Sequence, residues 1–97
     1  MAEQREPVEV VRLPAEERFE IRTGGEPAYL SYAEMDGRLY LMHTEVPEAF
    51  GGRGLGGELL RAALEHARGA GAQVVAFCPY AKVWLGRHPE YAELVAE

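Results

Sequence analysis

The hydrophobic pattern of this chain changes from strand to helix period at a glycine-rich stretch over residues 51–57. Before this stretch, apolar and polar residues alternate, as over residues 18–23, which is typical of half-buried strands. After it, apolar residues follow helical spacing over residues 55–67, and the helix is predicted to end at Gly69 and Gly71. The change of period predicts a chain that first forms a sheet and then crosses it with a helix.

The residues before the glycine-rich stretch predict an antiparallel meander. Strands are expected over residues 18–23, 28–34 and 39–46, because turn signals stand between them at Gly24-Gly25 and Asp36-Gly37. Residues 8–13 are a candidate edge strand before them. The third strand is apolar on both faces at its start, which predicts a central strand covered on both sides.

The residues after the long helix complete a crossover. An apolar run over residues 74–77 predicts a buried strand, and the order strand, helix, strand predicts a right-handed crossover between parallel strands. Pro79 suits the first position of a short helix that ends near Gly86. A last helix is expected from Pro89 to the C-terminus. The predicted fold class is therefore α+β, with a mixed, mostly antiparallel sheet and a strand–helix–strand crossover near its end.

Length and charge narrow the class of protein. The chain has 97 residues, which suffices for one compact domain, expected over residues 8–97 with a flexible tail over residues 1–7. A formal net charge of −6 disfavours non-specific binding to nucleic acid. No apolar run approaches the roughly 20 residues of a membrane span, so we expect a cytoplasmic protein that does not bind membranes. A single cysteine excludes a disulfide framework and a cysteine-rich zinc site, and no metal site is predicted.

The glycine-rich stretch predicts a phosphate-binding turn. It joins a strand to a helix, where glycines let backbone N–H groups approach a ligand and the helix end carries unpaired N–H donors. The alternative is that the glycines only permit a tight turn and close packing of the helix on the sheet. The stretch is not a P-loop, because no Gly-Lys-Ser/Thr sequence follows.

The residues around this turn resemble a known family. Residues 46–57 are similar to the acyl-CoA pyrophosphate loop of the GNAT acetyltransferase superfamily, whose signature Arg/Gln-x-x-Gly-x-Gly/Ala here reads Gly51-Gly52-Arg53-Gly54-Leu55-Gly56. Three further motifs resemble minimal, GNAT-like members: His43-Thr44-Glu45-Val46-Pro47-Glu48, Cys78-Pro79-Tyr80 and Arg87-His88-Pro89-Glu90-Tyr91. The resemblance covers residues 17–95. Gly51 departs from it, since larger enzymes carry Arg or Gln there, and Arg53 is the candidate to supply that charge.

The resemblance implies an N-acetyltransferase that moves acetyl from acetyl-CoA, as co-substrate, to an amine. Its implied coenzyme A contacts are Val46, Gly51, Gly52, Arg53, Gly54, Leu55, Gly56 and Gly57. The amine would attack the thioester directly, or the acetyl group would pass through Cys78 first. The alternative is a module that binds coenzyme A or acyl-CoA without turnover, which the departure at Gly51 and the short chain favour.

Two residues are predicted to be catalytic, Cys78 and His43. Cys78 ends the second parallel strand next to a helix start, which favours the thiolate, and the resemblance places it near the acyl group. Alternatively it is an inert core residue. His43 is a candidate to deprotonate Cys78 or an incoming amine, or it is a structural strand residue. Glu45 is another candidate base, and the resemblance suggests that Tyr80 protonates the departing thiolate.

Overall fold

The chain folds into a sheet and two helices, in a computed structural model that describes residues 8–96. In chain order the elements are β1 (Val11–Leu13), β2 (Arg18–Ile21), β3 (Ala28–Met35), β4 (Arg38–Glu45), α1 (Leu55–Ala70), β5 (Gln73–Ala76) and α2 (Pro79–Gly86). Short 3-10 turns cover Pro14–Glu16, Glu48–Phe50 and Pro89–Leu94. Within residues 8–96, no helix is both long and apolar enough to cross a membrane. The tail predicted over residues 1–7 lies outside the described residues.

The sheet has five strands in the order β1-β2-β3-β4-β5. Strands β1 to β4 pair antiparallel, and β5 runs parallel to β4 after the crossover through α1. The predicted fold class is therefore confirmed. Asp36 and Gly37 form the turn between β3 and β4 with φ angles of 52° and 74°, as a two-residue hairpin turn requires, because its backbone twist must match that of the strands.

One face of the sheet is covered by helices. The leucines of α1 that meet this face are fully buried against leucines of β3 and β4, and the group comprises Leu30, Leu39, Leu41, Leu59, Leu60 and Leu64. On the opposite face, Met42 is 44% exposed and Phe77 is 54% exposed. The prediction that β4 is covered on both sides is therefore wrong. Its outward apolar residues look like core in the sequence, but they lie on a face that is open to solvent, called the open face below.

The C-terminal residues also differ from the prediction. The expected last helix is a 3-10 turn that ends at Leu94, after which Val95 forms a parallel bridge with Val74 of β5. The Ala96 amide donates to the Val74 carbonyl at 2.8 Å. The physical reason is that β5 has an outer edge whose backbone groups need partners, and the C-terminal residues supply them.

Helix α1 ends at Ala70, and of the two glycines predicted to end it, Gly71 is its C-cap residue. Gly71 has a φ of 69°, and the Ala72 amide donates back to the Ala67 carbonyl at 2.8 Å. Because a side chain disfavours this left-handed conformation, Gly71→Ala is expected to lower the free energy of unfolding by about 1–2 kcal/mol. Gly69 lies in the helix with open space around it, so Gly69→Ala should raise that free energy by about 0.5–1 kcal/mol. Urea unfolding measures both, and changes of the same sign would contradict this account.

Candidate functional site

A β-bulge in β4 decides which side chains reach the helix-covered face. Ser31 pairs with His43, whereas the next residue of β3 pairs with Leu41, so Met42 is an extra residue in β4. Strand side chains alternate between faces, and one extra residue reverses the alternation. Leu41 is buried under the helices, and Thr44 is turned to the same side three positions later. His43 therefore lies on the open face, where it is exposed.

Beyond the bulge, β4 and β5 separate. The last parallel pair joins Leu41 and Ala76, and the Leu41 carbonyl accepts from the amides of Phe77 at 2.9 Å and Cys78 at 3.1 Å. Strand β4 continues past this point, while the chain after β5 turns into α2. A gap therefore opens between the ends of the two parallel strands. On the helix side of this gap, Thr44 Oγ1 and Cys78 Sγ are hydrogen-bonded at 3.3 Å.

A cavity of about 460 Å³ lies beside this gap, at the N-terminus of α1. Its walls come from the end of β4, the glycine-rich turn and α2: Thr44, Val46, Phe50, Gly51, Gly52, Gly54, Leu55, Gly56 and Tyr80. Gly54 is the N-cap residue of α1, with a φ of 77°, and no side chain within residues 8–96 caps this helix. The first amides of α1 therefore have no side-chain acceptor among these residues, and the positive end of the helix favours an anion.

Two glycines at the start of α1 allow α2 to approach. A Cβ atom on Gly56 would lie 2.6 Å from the hydroxyl oxygen of Tyr80, and one on Gly57 would lie 3.1 Å from the indole nitrogen of Trp84. Both aromatic side chains thus rest on the first turn of α1. The close approach of α2 fits the packing explanation for these glycines. The phosphate-binding explanation stays a prediction, and the glycines also leave the cavity wall free of side chains.

The structure brings most of the residues predicted to contact coenzyme A to one wall. Val46, Gly51, Gly52, Gly54, Leu55 and Gly56 line the cavity, whereas Arg53 and Gly57 do not. The Arg53 guanidinium lies 5.1 Å from the ring centroid of Phe50, which is itself a lining residue. Sequence reasoning assigned no role to Phe50 or Thr44. An aromatic residue directly before paired glycines was a usable signal for Phe50, whereas the orientation of Thr44 depends on the bulge.

Cys78 is buried behind this wall, with 4% of its surface exposed. Burial raises the pKa of the Cys78 thiol. Hydrogen bonds from the Thr44 hydroxyl and from the backbone around Ala81, Tyr80 and Thr44 lower this pKa, and together their effect is larger than that of burial. The net result is a pKa below the ordinary value for cysteine. The residue is the N-cap of α2, and the surroundings of its sulfur are polar enough to favour the thiolate.

The structure does not bring His43 to Cys78. The His43 side chain is 58% exposed, and its Nε2 lies 2.9 Å from Glu45 Oε1 on the open face. Its ring centroid is 6.0 Å from that of Tyr29. Among residues 8–96, the side-chain partner of Cys78 is Thr44 and not His43. The expectation that His43 deprotonates Cys78 is therefore not supported by the geometry, and its role toward an amine stays a prediction.

Comparisons with known proteins agree on one family. A family model described as GCN5-related N-acetyl-transferase matches residues 18–94, which include the cavity and both predicted catalytic residues. The chain is similar to the NMR solution structure of a GCN5-like, proposed N-acetyltransferase from Staphylococcus aureus, with 30% sequence identity and a TM-score of 0.74. That match covers 91% of this chain and 87% of the other. A comparison with curated proteins found no match.

Proposed function

This chain belongs to the GCN5-related N-acetyltransferase family, and from that premise we propose that it transfers an acetyl group from acetyl-CoA to a primary amine. The observation that carries the proposal is the cavity at the uncapped N-terminus of α1, which extends to Thr44 at the gap between β4 and β5. A site of this shape has an anion-binding end and an apolar interior. These two ends suit the pyrophosphate and the pantetheine arm of coenzyme A.

Local geometry has to provide the affinity for coenzyme A. The protein has a formal net charge of −6 and the ligand is polyanionic, so long-range electrostatic repulsion opposes binding. The amides at the start of α1 are the proposed pyrophosphate donors, because Gly54 and Gly56 place no side chain in front of them. Arg53 is the proposed cation in place of the Arg or Gln that Gly51 lacks. Its position over Phe50 keeps it at the edge of the cavity.

The proposed reaction is direct attack by the amine. The nitrogen lone pair attacks the thioester carbonyl carbon, the C–N bond forms, the C–S bond breaks and the coenzyme A thiolate leaves. The Tyr80 hydroxyl on the cavity wall is the proposed proton donor to that thiolate, and the His43–Glu45 pair is the proposed acceptor of the ammonium proton. Direct attack is favoured over an acetyl-Cys78 intermediate, because Cys78 is buried behind Thr44 and outside the lining.

The test measures binding and turnover separately on the full chain. Calorimetry is expected to detect binding of both coenzyme A and acetyl-CoA. A thiol assay should then show free coenzyme A released from acetyl-CoA only when an amine is present, with the N-acetylated amine identified by mass spectrometry. Tight binding with no release across a broad amine panel would instead identify a binding module without turnover. Absence of binding would reject the proposal altogether.

A further inference from the structure

The open face carries an exposed apolar cluster directly beside the gap between β4 and β5. Tyr40 and Phe77 stack with ring centroids 5.8 Å apart and an interplanar angle of 25°. Phe77 is 54% exposed and Met42, the bulge residue, is 44% exposed. Tyr40 is half-buried within this stack. Single exposed apolar side chains are normal on a protein surface, whereas contiguous ones next to a cleft are a feature of ligand-binding surfaces. We call Tyr40, Met42 and Phe77 the aromatic rim.

The aromatic rim and the cavity lie on opposite sides of the same gap. Thr44 lines the cavity, and its sequence neighbours His43 and Glu45 lie on the open face as a hydrogen-bonded pair at 2.9 Å. Phe77 follows the last residue of β5 that pairs with β4, so it stands across the gap from the bulge. A ligand on the open face can therefore place one group on the rim and another beside the His43–Glu45 pair. The gap between β4 and β5 then lies between this ligand and the cavity.

The charges on this part of the face suit a single ammonium group. Glu45 contacts only the His43 ring among the ion pairs found in residues 8–96. The next carboxylate across the sheet, Glu20, is already paired with Arg18 at 2.6 Å. The Arg18 guanidinium also lies over the ring of Tyr29, 4.1 Å from the ring centroid. The Tyr29 ring is in turn the neighbour of the His43 ring. A second ammonium group on the same ligand would meet this guanidinium rather than a free carboxylate.

We infer that the acetyl acceptor is a monoamine with an apolar, preferably aromatic, group, which binds on the aromatic rim with its nitrogen beside His43 and Glu45. The inference rests on the proposed transferase function and adds the class of acceptor. It excludes polyamines and strongly polar amines as preferred substrates. Phe77 is the specificity-determining residue, because it is the most exposed member of the rim and contacts only Tyr40 among the aromatic residues described.

The first experiment compares phenethylamine, ethylamine and spermidine as acceptors for the full chain with saturating acetyl-CoA. The value of kcat/KM for phenethylamine is expected to exceed those for the other two amines by about tenfold or more, since apolar contacts discriminate at roughly this level. In Phe77→Ser, the ratio of kcat/KM for phenethylamine to that for ethylamine should fall about tenfold. Val83→Ser is the matched control, because Val83 on α2 is 55% exposed and lies outside the rim, and it should leave that ratio unchanged.

A second measurement separates failure of the inference from failure of the transferase proposal. NMR of the protein with bound coenzyme A should show that phenethylamine shifts the resonances of Tyr40, His43 and Phe77, and that Phe77→Ser removes these shifts. Such shifts without any acetylation would uphold the rim as an amine site and reject the transfer. Acetylation that favours spermidine, or equal losses in Phe77→Ser and Val83→Ser, would overturn the inference while the transfer stands.

Discussion

Valine in place of Gly56 is expected to weaken binding of coenzyme A by about 100-fold while the protein stays folded. A Cβ atom at this position would lie 2.6 Å from the Tyr80 hydroxyl oxygen, and the added methyl groups would cover the first amides of α1. Each phosphate contact at a helix N-terminus stabilises by roughly 0.3–1 kcal/mol, and by up to about 2 kcal/mol when partly buried. Two partly buried contacts of about 1.4 kcal/mol each would therefore account for a loss of about 100-fold in affinity, since about 1.4 kcal/mol corresponds to a factor of ten.

The fold should tolerate this change because Tyr80 can move. Its ring is 45% exposed, so it can swing into solvent when a side chain takes its place. Calorimetry measures the affinity and circular dichroism reports the fold. Gly69→Ala is the matched control on the same helix, since nothing lies within 4 Å of a Cβ atom there, and its affinity should equal that of the unchanged protein. Wild-type affinity in a folded Gly56→Val protein would contradict the assignment of the phosphate site.

Tyr80→Ala distinguishes two physical causes of the loss. If Gly56→Val acts by displacing the Tyr80 ring, Tyr80→Ala alone should weaken binding as strongly, and the double substitution should add nothing. If the valine side chain instead blocks the amides of α1, Tyr80→Ala should retain most of the affinity and the double substitution should lose it. We expect the second pattern, because the phosphate contacts are proposed to come from backbone amides.

Local patterns in the sequence were sufficient for the main elements of the fold. The Asp36-Gly37 turn was predictable because both positions need a positive φ, which few residue pairs accept. The start of α1 was predictable because glycines precede an amphipathic run, and the start of α2 because Pro79 follows a short apolar strand. Each of these signals depends on residues within a few positions, and the tertiary contacts do not change the turn or helix start that each one predicts.

Features that depend on register were not predictable. No residue type marks Met42 as a bulge, yet the bulge sends Thr44 to the cavity and His43 to the open face. The proximity of Cys78 to Thr44 and its separation from His43 follow from that one extra residue. The glycine-rich wall of the cavity could be anticipated because its residues are continuous in the sequence. In β4, sequence reasoning singled out His43 and did not consider Thr44, because the face on which each residue lies depends on the bulge.

Cys78 is expected to form its thiolate at a lower pH than a free cysteine, whose pKa is about 8.5. Burial alone raises the pKa of this thiol, but the Thr44 hydroxyl and the backbone around Ala81 and Tyr80 stabilise the charged form more strongly. Thiolate absorbance is measured with increasing pH against Cys78→Ala as the blank. The midpoint of its rise should therefore lie at a lower pH than that of a free cysteine. Absorbance suits this residue because a side chain that is 4% exposed reacts slowly with iodoacetamide whatever its charge.

Thr44→Val is expected to move that transition to higher pH by about one to two units, since a hydrogen bond to a charged group contributes about 1.5–3 kcal/mol and one pKa unit is about 1.4 kcal/mol. The sign follows because valine keeps the burial, which raises the pKa, and removes the hydroxyl, which lowers it. Thr44→Ser keeps the hydroxyl and should titrate like the unchanged protein. An unchanged midpoint pH in Thr44→Val would show that the hydroxyl does not stabilise the thiolate.

Turnover measurements then decide whether the lowered pKa of Cys78 serves a covalent acetyl intermediate. If the amine attacks acetyl-CoA directly, Cys78→Ala should still release free coenzyme A at close to the original rate, because the buried thiol lies behind Thr44 and forms no bond to the acetyl group. An obligatory acetyl-Cys78 intermediate requires the opposite result, with transfer abolished in Cys78→Ala and, when no amine is present, an acetyl label retained on the unchanged protein. Because Thr44 contacts both the cavity and Cys78, a bound thioester should also shift the thiol titration even where Cys78 takes no part in transfer.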